Sequence, residues 1–153
     1  ATTIWELWNS DTQGPGMNSR NHFAFGSVGQ WYYEYLAGIR PLEPGFKRIL
    51  IAPMPAGDLT WVEATYPSMY GEIRSSWRIK GERLTLDVTM PANTSAEIRV
   101  PVSSDTPTIT ESGVTVVDGG EKALRAAGLT FRGIAEGVAV FEAGAGQYGF
   151  TVE

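Results

Sequence analysis

Strict two-residue alternation between Gly71 and Met90 limits what this chain can fold into. Ile73, Ser75, Trp77 and Ile79 fall on one side of the first run, and Glu72, Arg74, Ser76, Arg78 and Lys80 on the other. Gly81-Glu82 makes a tight turn, after which Leu84, Leu86, Val88 and Met90 repeat the apolar side. Successive side chains of a strand point to opposite faces, so the pattern describes antiparallel strands with one dry face and one wet face. Comparable segments flank it. Arg48–Ala52 is an apolar run closed by Pro53 and Pro55, and Thr60–Thr65 reads as a further strand. After a turn at Pro91-Ala92-Asn93, Ala96–Val102 places Ile98, Val100 and Val102 on one side. Later strands are predicted near Thr108–Thr110, Val114–Val117, Thr130–Ile134, Gly137–Ala143 and Gln147–Val152, with a short helical turn within Gly119–Gly128. Short strands with turn signals about every 8–12 residues predict a mainly β fold, an antiparallel β-sandwich.

The opening forty residues have a different character. Asn9 to Arg20 is rich in Asn, Asp, Ser, Gly and Pro and reads as a loop. Asn18, Ser19 or Asn21 can cap the helix expected from about Asn21 to Ala37, and Gly38 suits the left-handed position after it. Phe25, Val28, Tyr32, Tyr35 and Leu36 follow helical spacing. Gly26 and Gly29 interrupt this helix, each costing roughly 1 kcal/mol against alanine, which predicts a closely packed neighbour. No other segment offers a matching helix. The orphan helix and the Ala-Thr-Thr start lead us to expect a piece of a longer protein, with upstream helices as its partner. Pro41–Phe46 reads as a linker into the strand region.

Composition removes several function classes. The 153 residues carry a net charge of −5 and a pI near 4.9, unlike a chain that meets nucleic acid or an anionic membrane surface. With no cysteine and one histidine, a thiolate zinc site, a cysteine nucleophile and a multi-histidine metal site are ruled out, and no cofactor is expected. No apolar run approaches the roughly 18 residues of a membrane span. Compartment is not legible.

Chemistry-bearing residues gather near the start. Glu6 lies between Trp5 and Trp8, with Ile4 and Leu7 beside it. An aromatic setting disfavours the charged form of a carboxylate, which suits acid–base work, and indoles offer flat faces to a sugar ring. The alternative is an edge carboxylate that points to solvent or pairs with Arg20. His22, near the helix start, is either a donor to a sugar hydroxyl or a capping-region histidine, its neutral form favoured by the helix dipole. Asn9, Asp11, Asn18 and Asn21 can line a polar pocket or simply belong to the loop. Ser10 has no GxSxG context, Gly119-Gly120 fits no phosphate loop, and Asn93-Thr94-Ser95 is a bare glycosylation sequon. Trp61 and Trp77 read first as core and second as a carbohydrate platform.

These motifs also carry a likeness. TTIWELWNSDT, GMNSRNHFAFGSVGQWYYEYLAGI, PGFKRILIAPMP and LTWVEATYPSMYGEIRSSW occur in the order found in bacterial α-L-rhamnosidases of glycoside hydrolase family 78, and the chain resembles their C-terminal end from residue 2 to about residue 102. The resemblance implies that residues 1–42 end an (α/α)₆ catalytic barrel and residues 43–153 form the β-sandwich that follows it. It implies removal of terminal α-L-rhamnose from glycans or glycosides with inversion, through two carboxylates. The general acid would belong to an upstream motif outside this chain. Glu6 matches the family's water-activating base, His22 matches a sugar-contacting histidine, and Trp5 and Trp8 would wall the pocket. Alone, the segment would be inactive. The competing expectation is a non-catalytic accessory module that holds carbohydrate on the β-sandwich.

Overall fold

The computed structural model describes residues 2–16, 19–123 and 128–153, and divides them into two compact units, 1–32 and 33–153. Asn18 and residues 124–127 of the helical turn expected within Gly119–Gly128 lie outside the described residues, as does the side chain of Ser10.

In the first unit, α1 (Ser10–Gln13) and a 3₁₀ turn (Gly14–Gly16) occupy the polar loop. A second 3₁₀ turn (Phe23–Gly26) leads into α2 (Ser27–Trp31). A π-helical turn, Tyr32–Leu36, follows. The expected single helix over 21–37 is therefore three short turns of different pitch. Gly26 and Gly29 supply the reason, since each weakens continuous i→i−4 bonding. The close neighbour expected at these glycines is absent among the described residues. A Cβ at Gly29 would meet nothing within 4 Å, and one at Gly26 only the tip of Ile4 at 3.9 Å.

The second unit is one ten-stranded sheet folded on itself. Its strands are β1 (Ile39–Pro41), β2 (Arg48–Ile51), β3 (Trp61–Ser68), β4 (Gly71–Lys80), β5 (Arg83–Pro101), β6 (Ile109–Glu111), β7 (Val114–Asp118), β8 (Glu121–Lys122), β9 (Leu129–Ala135) and β10 (Val138–Val152). β5 and β10 pair along almost their whole lengths and serve both layers. Arg83–Thr89 joins β4, and Ser95–Ile98 joins β2. Likewise the first half of β10 pairs with β9 and its end with β6. Phe141 and Phe150 lie nine residues apart on β10, roughly 30 Å in a straight strand. Their rings stand 5.1 Å apart, so the strand must turn back sharply. It does so where the register shifts between Gly144 and Gly146. That shift also changes the inward parity, from Ala139, Phe141 and Ala143 to Tyr148, Phe150 and Val152. The two halves thus face each other across one core, with Trp77, Ile49, Ile73, Leu86, Ile98 and Val117 at its centre. This is a β-sandwich cut from a bent hairpin.

Four expectations need correction. Pro91-Ala92-Asn93 is no hairpin turn but a corner inside the continuous β5, with Asn93 in the left-handed region at φ 63°. The partnership of β2 with β5 is parallel, because the β3–β4 hairpin intervenes and returns the chain in the same direction. Pro41–Phe46 is no plain linker, since it holds the end of β1 and a 3₁₀ turn at Pro44–Phe46. Part of Gly119–Gly128 forms the short strand β8.

Local sequence explains how residues 36–38 join the core. The indole Nε1 of Trp77 donates to the Leu36 carbonyl at 2.7 Å, and Ser75 Oγ donates to the Ala37 carbonyl at 2.7 Å. Both are buried, so each bond replaces one that water would otherwise supply. Gly38 sits at φ 75°, where a Cβ would come within 2.1 Å of the Ala52 carbonyl carbon. Only glycine fits that crossing.

Candidate functional site

Glu6 and His22 are far apart in sequence, and the backbone brings their segments together. The Glu6 amide donates to the Ser19 carbonyl at 3.0 Å, and the His22 amide donates to the Ile4 carbonyl at 2.7 Å. Thr3 Oγ1 adds a bond to the Arg20 carbonyl. These links close the loop Asn9–Arg20 at its neck and lay residues 3–6 beside 19–22. The loop's Gly and Pro make that reversal sterically cheap.

Side chains refine the arrangement. Glu6 and His22 are each half-buried. Arg20 does not pair with Glu6 but lies over the Trp5 ring, 5.5 Å from its centroid. Such a cation–π contact holds the indole without taking up a carboxylate. Among the described residues, Glu6 has no side-chain hydrogen bond or ion pair. The His22 ring packs on Phe25 at 4.6 Å between centroids.

A cavity of about 540 Å³ opens beside these segments, lined by Thr3, Ile4, Trp5, Leu7, Trp8, Asp11 and Phe25. It has the proportions of a small-ligand site, mostly apolar with few polar groups. Of the four residues singled out from the sequence, Trp5 and Trp8 line it, while Glu6 and His22 do not. Trp8 is fully exposed. The carboxylate that faces the cavity belongs to Asp11, and Phe25 closes one wall. Asp11 was among the loop residues offered as pocket lining, whereas Phe25 was legible only as part of a helical stripe. A wider cavity, about 580 Å³, lies in residues 33–153 between Leu42–Phe46 and Tyr66–Met69, and none of the candidates touches it. Among the described residues no group of three or more His, Asp or Glu could hold a metal, and no helix is long and apolar enough to cross a membrane.

Trp61 and Trp77 separate. Trp77 is core, 1% exposed, whereas Trp61 is 53% exposed on β3. The core reading for Trp61 is therefore wrong. Trp61 begins an edge strand, and its alternation directs it to the wet face rather than the dry one.

The fold and the first unit define a β-sandwich domain preceded by a short, aromatic helical segment. The chain belongs to the α-L-rhamnosidase family. Residues 38–115 match the bacterial α-L-rhamnosidase C-terminal domain, and residues 1–36 match the bacterial α-L-rhamnosidase six-hairpin glycosidase domain. An α-L-rhamnosidase of Formosa agariphila is 50% identical over 109 residues, covering 68% of this chain and 12% of that protein. One from Streptomyces avermitilis is 36% identical over 157 residues, covering 99% of this chain and 14% of the relative. The crystal structure of Streptomyces avermitilis α-L-rhamnosidase complexed with L-rhamnose matches 99% of this chain and 14% of that one, at 34% identity and a TM-score of 0.78. The chain thus spans about one seventh or less of the relatives it matches. The kinship also extends past residue 102, where the motifs fade.

Proposed function

We propose that the 153 residues are the C-terminal part of an inverting glycoside hydrolase that releases terminal α-L-rhamnose from glycans or glycosides. In this reading residues 1–42 complete the catalytic barrel and residues 43–153 form the sandwich behind it. The observation that supports it is the unpaired Glu6 carboxylate, flanked in sequence by indoles and carried on a segment that a backbone neck ties to the segment of His22, in a chain of rhamnosidase kin.

Each residue has a task in this mechanism. Glu6 takes a proton from water as it attacks the anomeric carbon, on the face opposite the leaving group. A general acid from the upstream barrel protonates the departing oxygen, and an inverting pair stands roughly 6.5–9.5 Å apart to admit that water. His22 donates to a sugar hydroxyl, and Trp5 and Trp8 wall the pocket. By itself the segment would be inactive, because nothing opposite Glu6 supplies the acid or holds water in line. The partner it requires is the upstream barrel.

Stereochemistry tests the reading. The longest natural chain containing this segment should act on an aryl α-L-rhamnoside and release β-L-rhamnose first, as seen by time-resolved proton NMR. First release of the α-anomer would contradict inversion, and no release at all would contradict the substrate. A second reading, a carbohydrate-holding accessory module, is favoured by one observation only, the exposure of Trp61.

A further inference from the structure

The wet face of β3, β4, β5 and the end of β10 carries an open site that the catalytic reading does not use. Strand pairing places its side chains in rows. Trp61 stands opposite Arg78, Glu63 opposite Ser76, and Thr65 opposite Arg74. Arg74 in turn faces Thr89, Ser76 faces Asp87, and Thr89 faces Gln147. A cavity of about 440 Å³ lies among Arg74, Asp87, Thr89, Ser112, Gln147 and Gly149. Gly149 forms its floor, where a Cβ would stand 3.3 Å from Asp87 Oδ1.

We infer that this face binds a neutral oligosaccharide, with Trp61 as the stacking platform and Asp87, Thr89 and Gln147 as its hydroxyl contacts. Trp61 is more than half exposed, and Arg78 lies over one face of its ring at 5.7 Å, which positions the indole and leaves the other face for a ligand. A pyranose offers an apolar C–H face to such a ring and a rim of hydroxyls that each donate and accept. The cavity supplies both kinds of partner. Asp87 accepts, Thr89 and Gln147 do both, and Arg74 donates. Among the described residues the side chains of Asp87, Thr89 and Gln147 make no hydrogen bond or ion pair, so their capacity is unspent. Charge selects the class. Glu63 and Asp87 balance Arg74 and Arg78, and Arg74 is already paired with Glu63 at 2.7 Å. Such a face has no net attraction for a phosphate or a polyanion. By strand spacing Trp61 lies roughly 12 Å from Asp87 and, two rows along and three strands across, roughly 20 Å from Gln147, the span of about a tetrasaccharide.

The test uses the isotope-labelled 153-residue chain, titrated with a neutral rhamnose-containing tetrasaccharide and, separately, with a tetragalacturonate, and followed by ¹H–¹⁵N NMR. Saturable shifts at the Trp61 indole N–H and at the amides of Asp87, Thr89 and Gln147 are expected. Trp61→Ala and Gln147→Ala are both surface changes, and each should weaken binding roughly tenfold or more. Tighter binding of the acidic tetrasaccharide would overturn the neutral class. Shifts confined to residues 1–32, no saturable shift, or variants that bind like the native chain would overturn the site. Neither Glu6 nor His22 enters this readout, so its failure is separate from failure of the hydrolase reading.

Discussion

Trp77 shows how one residue can hold two parts of the second unit together. Its ring fills the centre of the core while its N–H satisfies the Leu36 carbonyl. Trp77→Phe keeps most of the apolar volume but leaves that carbonyl buried and unsatisfied. We expect a loss of about 2–4 kcal/mol in urea unfolding, with little change in m-value. Tyr148 makes a pH-dependent contribution. Burial pushes its hydroxyl above the ordinary range, and the nearby Glu111 charge adds to this. The folded state therefore keeps a proton that the unfolded chain releases above about pH 10, so stability falls as pH rises through that point. Tyr148→Phe should lower stability slightly at pH 8 and flatten the alkaline fall, as read by paired denaturation curves at pH 8 and 10.5. Glu142 behaves in the opposite sense. Its hydrogen bond to Arg132 holds the carboxyl below the usual range, so its contribution is lost only as acid is added, and its contact with solvent keeps that contribution small.

Among the elements, Gly38 and the bent hairpin decide the architecture. Gly38→Ala forces a Cβ into the Ala52 backbone at a left-handed residue. It should cost about 2–4 kcal/mol, measured as a lower urea midpoint. β4 and the start of β5 were legible to the residue, because alternation there is unbroken and each face meets one environment. The corner at Pro91–Asn93 was not, since proline and asparagine announce a reversal whether the chain turns back or merely bends. Nor was the parity change at Gly144–Gly146 visible, because it becomes meaningful only once Phe141 and Phe150 meet. Parallel pairing of β2 depends on contacts with a strand more than forty residues away, which no local pattern records. The helix was misread for a related reason. Its aromatic spacing is helical, yet two glycines and an uncovered apolar face leave nothing to hold it to one pitch. At the site, Trp5 and Trp8 were recognisable from their flanking of a carboxylate. Asp11 was legible as one of several loop residues able to line a pocket; Phe25 was not, because its place on the cavity wall comes from the closed neck of the loop.

For the whole molecule, residues 1–32 leave Phe23, Phe25, Val28 and Trp31 exposed, while residues 33–153 own the core. The sandwich has its own core and the small aromatic unit has none; the structure divides the chain after Tyr32, ten residues before the division proposed above, because Ala37 and Ile39 belong to the sandwich core. The same imbalance predicts unequal stability. Amide exchange should be fast throughout residues 2–32 and slowest in the paired halves of β5 and β10, and uniform protection would contradict this. Glu6 is the point where that junction would meet chemistry. The most direct measurement is hydrolysis of an aryl α-L-rhamnoside by the longest natural chain containing the segment, native against Glu6→Ala, with and without added azide. The account predicts a rate loss of roughly 10³-fold or more with an unchanged fold, and azide rescue that yields the β-rhamnosyl azide, since the small anion takes the place of the activated water. A Glu6→Ala enzyme that cleaves as fast as the native chain would contradict it.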